Sequence, residues 1–239
     1  LAAVAAAPPL FGQRARRRMR EALLEMRRAL RAQDGSAARE KEYNATVRRL
    51  FAISAINEMR AIRRAVETPH GFGERMARFF ENHFSLAVRA PGHRSFIPRH
   101  SEEAIRPNLA GRFEDLAVAA ITHPAMLMYL DQHRSFGPDS PLGREKGRGM
   151  NENLAREVLE LHTLGVGAAY GQADVQALAA LLTGFTIHRS ELTHRPEMAQ
   201  PGRFELLGRR YEGADRAASE AALRDLARRP ETARHLAEK

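Results

Sequence analysis

The chain of 239 residues contains no cysteine and no tryptophan. Without cysteine it can form no disulfide, no thiolate metal site and no cysteine nucleophile, although this leaves the redox compartment open. No stretch is long and apolar enough to cross a bilayer. The sequence also lacks a Gly-x-Ser-x-Gly elbow, a phosphate loop, a dinucleotide fingerprint and a His-Glu-x-x-His motif. These absences disfavour ordinary serine hydrolase, P-loop and Rossmann chemistries.

Lysine is scarce as well, because only three of the 38 basic residues are lysine and the remaining 35 are arginine. The formal net charge is +9, and the basic run at residues 14–20 could follow a phosphate backbone. No aromatic residue accompanies that run to stack on bases, and Glu21 and Glu25 follow it. We interpret the run as a solvated helix face, with a membrane-surface or partner-docking helix as the alternative. Nucleic acid is therefore a disfavoured partner.

Apolar residues recur at helical spacing through most of the chain, which predicts an all-α, multi-helix, bundle-like domain. A first stripe comprises Met19, Leu23, Met26 and Leu30. A second, longer stripe comprises Val47, Leu50, Phe51, Ala55, Met59, Ile62 and Val66. The two stripes predict an antiparallel helical hairpin region at residues 1–68, followed by a core helical domain at residues 69–239.

Two segments of the core domain depart from this helical pattern. Residues 135–149 hold four glycines and two prolines, which predicts a mobile loop. Residues 185–188 and 203–207 are short and fit one minor hairpin, so we expect at most a small β ribbon near residues 185–207.

The most informative stretch is residues 151–165, which the sequence predicts to be one helix. Asn151 is suited to cap its start and Gly165 its end. At about 100° per residue, apolar side chains form one stripe of this helix. Asn153, Glu157 and Glu160 share the opposite stripe, and Arg156 lies beside Glu160 at the i, i+4 distance.

Two interpretations of this polar set remain open. In the structural one, Arg156 and neighbouring helices hold Glu157 and Glu160 in a buried polar network. In the functional one, the two carboxylates face a cleft, where one acts as a general base or as a ligand to a hard cation. Asn151 and Asn153 divide in the same way between helix capping and hydrogen bonding to a substrate.

His83, late in an aromatic-rich helix, is the other candidate. A histidine in that setting is usually a satisfied core residue. If it instead meets Glu157 or Glu160, a His–carboxylate site for hydrolysis or metal binding results, with Asp131 as a third polar group. His162 falls near the apolar side of its helix, so it cannot share one ion with Glu157 and Glu160, and we interpret it as a packing residue. A divalent metal is thus a candidate cofactor without a closed motif.

The segment at residues 151–165 resembles the signature of a bacterial family catalogued as domain of unknown function 1800. Four further elements are similar to that family's pattern and occur in the same order. They lie at residues 74–84, 124–131, 170–185 and 229–234. The resemblance covers about residues 57–239, whereas residues 1–56 carry no motif that we can place. Phe80 and Phe185 stand where the pattern usually has tryptophan, and Ala199-Gln200-Pro201-Gly202 replaces a loop that often reads His-Glu-Pro-Gly.

The resemblance implies more about the fold of the chain than about its function. It implies a helical scaffold or partner-binding component of an envelope or secreted system, so the localisation would be periplasmic or secreted. The residues themselves leave localisation and oligomeric state open. The resemblance also implies that the chain is an internal fragment, truncated at the C-terminus relative to its family. The alternative function is a hydrolase-like, metal-assisted enzyme using His83, Asp131, Glu157 and Glu160. A binder of nucleic acid or of another anionic surface is the weakest hypothesis.

Overall fold

The computed structural model describes residues 1–5, 18, 21, 22, 24, 25, 28, 37–90, 93, 94 and 96–239. It divides into two compact units, which we describe separately. The first unit comprises Leu1–Glu81 and Ser85–Ala110, and the second comprises Asn82–Phe84 and Gly111–Lys239. The first predicted stripe (Met19, Leu23, Met26 and Leu30) and most of the basic run at 14–20 lie outside the described residues. The division into a hairpin region at 1–68 and a core domain at 69–239 stays a prediction.

The described part of the first unit is helical. Its elements are α1 (Ala2–Ala5), α2 (Ala37–Glu67), α3 (Gly71–His83, of which the last two residues belong to the second unit), α4 (Ile97–His100), a π-helical turn (Ser101–Ile105) and a 3-10 turn (Arg106–Asn108). Leu50, Phe96, Ala104 and Ile105 are fully buried in this unit. Val4 packs so closely on α3 that a Cβ added to Gly73 would lie 2.4 Å from its Cγ2 atom.

The face that α2 buries differs from the predicted apolar stripe. Thr46, Leu50, Ser54 and Asn57 are buried, at the spacing of one helix face. Of the stripe residues, Leu50 alone is buried, Val47 is half-buried, and the others are exposed. Most of the apolar stripe therefore lies away from the face that this helix buries. The helix packs through a narrow face of small and polar residues, which hydropathy alone does not reveal.

An ionic cluster lies inside the first unit, around Arg106. The guanidinium donates to both carboxylate oxygens of Glu74, at 2.9 and 2.6 Å, and both side chains are buried. Its Nε atom lies 3.5 Å from Glu102, which Arg64 contacts in turn at 3.1 Å. The hydrogen bond from Arg106 holds the pKa of the Glu74 carboxyl below its ordinary value. Bidentate pairing of this kind compensates the desolvation of both groups.

The second unit contains the remaining helices, turns and strands of the described residues. They are α5 (Phe113–Thr122), α6 (Pro124–Tyr129), a 3-10 turn (Gln132–Arg134), α7 (Pro141–Lys146), α8 (Asn153–Glu157), a π-helical turn (Val158–His162), α9 (Gln172–Leu181), β1 (Phe185–His188), β2 (Glu191–His194), a 3-10 turn (Pro196–Met198), β3 (Arg203–Leu206), β4 (Arg209–Glu212), α10 (Arg216–Ala227) and α11 (Pro230–Ala237). Helices dominate both units, so the all-α prediction is confirmed. No helix among the described residues has the length and apolar character needed to span a membrane.

Several helices of the second unit begin where the sequence supplies a cap. The Ser140 hydroxyl accepts from Gly143 N at 3.0 Å ahead of Pro141, and Asp215 accepts from Ala218 N at 2.7 Å. Residues 135–149, predicted to be a mobile loop, contain α7 and are anchored because Gly137 N donates to Met198 O at 2.8 Å. The loop prediction is therefore wrong, since Ser140 and Pro141 start a helix within the glycine-rich stretch.

The β structure consists of two separate antiparallel hairpins. β1 pairs with β2, and β3 pairs with β4, so the predicted pairing of residues 185–188 with 203–207 is wrong. Each hairpin turns through two residues with positive φ, Arg189 and Ser190 in the first, Leu207 and Gly208 in the second. Turns of this kind match the twist of the strands and usually carry Asn-Gly or Asp-Gly. Arg189-Ser190 and Leu207-Gly208 are neither, so the sequence did not indicate these two turns.

The core of the second unit lies between α5, α9 and α10. Leu116, Ile121, Leu178, Leu181 and Leu223 are almost fully buried there. Around this core Arg224 pairs with Asp115 and Arg228 with Glu114, joining α10 to α5. This frame holds the helices that carry the candidate site.

We expect Arg106→Met to destabilise the protein by about 3–5 kcal/mol, because it leaves buried carboxylates without their partner. Urea unfolding followed by circular dichroism measures the loss. The matched control is Arg63→Met, which removes an exposed ion pair with Glu67 and should unfold like wild type. The double variant Glu74→Leu/Arg106→Met should recover part of the loss. Equal stability of Arg106→Met and wild type would contradict the role of this cluster.

Candidate functional site

The predicted helix at residues 151–165 consists of two parts. α8 is α-helical, and Val158–His162 continues it as a π-helical turn in which Thr163 Oγ1 donates to Val158 O at 2.6 Å. Gly165 ends the segment with φ +94, in the left-handed region. A π turn has more residues per turn than an α-helix, so side chains after Glu157 leave the regular wheel. Such turns occur frequently at functional sites.

Asn151 anchors the start of this segment. Its Oδ1 atom accepts from Asn153 N at 3.0 Å, and its Nδ2 atom donates to Leu130 O at 3.0 Å. The Asn151 N–H donates to Ser135 Oγ at 3.0 Å. The side chain of Asn151 is therefore used in helix capping and in fixing the preceding chain, whereas Asn153 itself is exposed.

Arg156 is held by Glu152 and Gln172, and not by Glu160 as its spacing predicted. Its Nη2 atom donates to Glu152 Oε2 at 2.8 Å and to Gln172 Oε1 at 2.6 Å. The amide of Gln172 donates to Glu152 in turn, at 3.0 Å, which closes a triangle of three side chains. The Arg156 side chain is 43% exposed, so this network lies at the surface and not inside the protein.

The two candidate glutamates have different surroundings. Glu160 is half-buried and hydrogen-bonded to the phenol of Tyr170. Burial, followed by the charge of Glu160 and this hydrogen bond, raises the pKa of Tyr170. Glu157 is also half-buried. The signature segment and the start of α9 are thus joined by two polar contacts, through Gln172 and through Tyr170.

His83 and His162 form a reciprocal pair inside the second unit. His83 Nε2 donates to His162 O at 3.1 Å, and His162 Nδ1 donates to His83 O at 3.1 Å. The ring centroids lie 5.8 Å apart, beside Phe84 and Phe113. Both histidines are buried. The functional hypothesis for His83 was a contact with the carboxylate of Glu157 or Glu160. In these hydrogen bonds its partner is His162 instead.

Burial keeps this pair in the neutral form. It lowers the pKa of His83 from 6.5 to about 4, and burial together with the neighbouring His83 lowers the pKa of His162 from 6.5 to about 3. The second ring nitrogen of His83 is 3.2 Å from Lys239 Nζ, which also donates to Leu161 O at 3.0 Å. Burial lowers the pKa of Lys239. His235 lies beside the pair and contacts Leu161 O at 3.2 Å.

Asp131 lies on an exposed turn with φ +56, a left-handed conformation that aspartate tolerates. Within the described part of the chain, no three His, Asp or Glu side chains lie close enough together to hold a metal ion. His83, Asp131, Glu157 and Glu160 are all described, so they form no such group. Catalytic roles for these four residues stay predictions from the sequence.

The loop that departs from the family pattern is joined to the start of α7. Gln200 Oε1 accepts from Asp139 N at 3.0 Å, and Gln200 Nε2 donates to Asp139 Oδ2 at 2.9 Å. Gln200 N also donates to Thr183 Oγ1 at 2.7 Å. A glutamate at position 200 would place a second carboxylate against Asp139, whereas the amide supplies both the donor and the acceptor that this neighbour needs.

One family model, described as a protein of unknown function (DUF1800), matches residues 5–239 of the chain. The chain belongs to the DUF1800 family. The match extends over the N-terminal segment, where the residues alone showed no motif. No curated protein and no solved structure matches the chain.

Several partners in the site of this DUF1800 protein were not predicted from its sequence. No side-chain partner was predicted for Glu152, and Tyr170 and Gln172 belong to a motif that had no assigned role. Glu152 lies four residues before Arg156, the spacing of a helical ion pair, whereas Tyr170 and Gln172 are brought to the segment only by the fold. The pairing of His83 with His162, 79 residues apart, had no sequence signal beyond the apolar surroundings of both.

We expect the stability of this DUF1800 protein to fall as the pH drops from 6.5 towards 4. In that window the unfolded chain carries protons on His83 and His162 that the folded chain lacks. The free energy of unfolding should decrease by at most about 1.4 kcal/mol per pH unit for each histidine, and it should level off above pH 6.5. Urea unfolding at a series of pH values between 4.5 and 8, about one half unit apart, measures this dependence.

His162→Phe should lower stability at neutral pH and flatten the pH dependence, because one of the two titrating groups is gone. His188→Gln, on an exposed residue of β1, should keep the wild-type pH dependence. A wild-type profile that is flat between pH 5 and 7 would show that the pair does not titrate as the structure indicates.

Proposed function

We propose that this DUF1800 protein is a helical partner-binding scaffold whose docking face is the outer side of α2. The observation that carries the proposal is a set of exposed apolar side chains, which we call the α2 stripe: Phe51 (47% exposed), Ile56 (52%), Met59 (68%), Ile62 (58%) and Val66 (78%). Single exposed apolar residues are common on protein surfaces, whereas clusters along one face mark interaction sites.

The α2 stripe lies outside the packed face of its own helix. α2 packs through its opposite face, where Leu50 and Asn57 are buried. Keeping five large apolar side chains in water forfeits about 25 cal/mol for each Å² left uncovered. A partner that covers the stripe recovers this free energy, which is the physical basis of the proposal.

The contacts of the signature residues support a structural role for them. Asn151 caps a helix, Arg156 closes a triangle with Glu152 and Gln172, and the His83–His162 pair is neutral and buried. These interactions fix the second unit internally. The metal-assisted hydrolase alternative gains no support from them, because His83 and Glu160 are engaged with His162 and Tyr170.

The test is the double variant Met59→Asp/Ile62→Asp, with Val166→Asp as the matched control. Val166 is also exposed, at 79%, but lies on the second unit. Both variants should unfold like wild type, because the substituted side chains are in water. Proteins that purify with the wild type from its source are quantified by mass spectrometry, and each is then recombined with the pure chain. We expect a stoichiometric partner that binds the wild type and the control but not the stripe variant.

If no recombined partner distinguishes the stripe variant from the control, the proposal is wrong. If the wild type shows a hydrolytic activity that Glu157→Gln loses, with unchanged stability and unchanged partner binding, that result would instead favour the enzyme alternative.

A further inference from the structure

The two ends of α11 are attached to the second unit in different ways. Thr232 is the one fully buried residue of this helix, and near its start the Thr232 hydroxyl donates to Leu226 O at 2.7 Å. At the other end, His235 Nε2 and Lys239 Nζ both donate to Leu161 O, at 3.2 and 3.0 Å. Leu161 belongs to the π-helical turn of the signature segment. The end of α11 is therefore held on this turn by the side chains of two basic residues.

One of these side chains also contacts the atom of His83 that can take a proton. Because His83 Nε2 donates to His162 O, the neutral ring of His83 carries its lone pair on Nδ1. Lys239 Nζ lies 3.2 Å from Nδ1 and donates to it. A proton on Nδ1 would make two donors face each other and would turn this hydrogen bond into a repulsion between two cations. The contact between Lys239 and His83 therefore requires that His83 is neutral.

The neighbouring charges that act on the histidine pair come from basic side chains. Burial, and then the charges of Lys239 and His235, lower the pKa of His83 to about 4. Burial, and then the charges of His83, Lys239 and His235, lower the pKa of His162 to about 3. These groups come from the π-helical turn, from α11 and from the residue that follows it by two positions, and they lie beside two phenylalanine rings. Protons added to this cluster therefore accumulate charge of one sign.

From this geometry we infer that α11 is an acid-sensitive latch on the signature segment, closed while His83 is neutral and released when His83 takes a proton. We call His83, His235 and Lys239 the α11 latch. Release removes both side-chain donors from Leu161 O and uncovers Gly165, where a Cβ would lie 2.8 Å from His235 Nδ1. The end of the signature segment thus becomes accessible in acid. The inference concerns regulation of the second unit and does not depend on the docking face of α2.

The pH window of the latch follows from the two states of His83. In the closed state its pKa is about 4, whereas a ring released into water has the ordinary pKa of 6.5. Above pH 6.5 the ring is neutral in both states, so acidity does not act on the latch. Below pH 6.5, and down to about pH 4, each pH unit raises the ratio of released to closed molecules by about tenfold.

Hydrogen exchange followed by mass spectrometry on the whole chain tests the latch. A helix of eight residues is marginal by itself, so the released end of α11 unwinds and its amides exchange. The protection factors of these amides, which correct for the pH dependence of intrinsic exchange, should be constant above pH 6.5 and fall by about tenfold per pH unit below it. Amides of α9 should stay better protected at each pH, because they exchange only when the core opens.

Three variants separate proton uptake from packing. Glutamine can supply both the donor to His162 O and the acceptor for Lys239, yet it takes no proton. His83→Gln should therefore keep α11 protected at neutral pH and remove the pH dependence. Lys239→Met removes a donor at an exposed position, so the protection of α11 should fall several-fold at neutral pH. The matched control is His188→Gln, on an exposed residue of β1, which should behave like the wild type.

Three results would overturn the inference. The first is a wild type in which the protection of α11 does not depend on pH, and the second is a His83→Gln variant with the wild-type pH dependence. The third is equal loss of protection in α9 and α11, which would show that acid unfolds the whole unit without a local release. If His83→Gln fails to fold, Lys239→Met decides, because unchanged protection of α11 in that variant would show that the contact does not hold the helix.

Discussion

The second unit depends on the reciprocal hydrogen bonds between His83 and His162. Each ring donates to the other residue's carbonyl, so two polar side chains and two backbone acceptors are satisfied together inside an apolar setting. A buried polar group without a partner costs free energy, and a buried charge costs more. The pair avoids both costs only while it is neutral, which burial enforces. His162 ends the π-helical turn, so the same bonds hold the signature segment in place.

Arginine occurs in three different settings in this DUF1800 protein. Arg106 is buried and forms a bidentate pair with Glu74, which neutralises a carboxylate inside the first unit. Arg156 links two helices at the surface of the second unit through Glu152 and Gln172. Arg48 and Arg60 lie in water along α2. The planar fork of the side chain suits all three settings, so composition alone does not tell a structural arginine from one at a docking face.

The sequence was a good guide wherever the signal was local. Helical spacing predicted the all-α class, and Gly165 was correctly placed at the end of the signature segment because a left-handed residue there favours glycine. Pro124 and Pro230 each stand at the first position of a helix, where proline is tolerated because that N–H has no partner within the helix. The family pattern was recognised for the same reason, since each of its motifs is a short run of neighbouring residues.

Predictions that required knowing which face meets which neighbour were weaker. The apolar stripe of α2 is mostly exposed, and the helix buries Thr46, Ser54 and Asn57 beside Leu50. Residues 185–188 were paired with 203–207, although each strand pairs with its own neighbour across a tight turn. Arg156 was matched with Glu160 on a regular wheel, but the π turn begins between them. In each case a rule of local geometry was correct and the tertiary context chose another partner.

The sequence by itself determined the helical class, several helix ends and the family. Those features follow from backbone propensity and from periodicity, which act over a few residues. Only the tertiary structure decided that His83 meets His162, that Glu152, Arg156 and Gln172 form one network, and that the apolar side of α2 faces water. Such outcomes depend on contacts between residues far apart in the chain, and the free energy of each contact is set by burial and by the partner that the fold supplies.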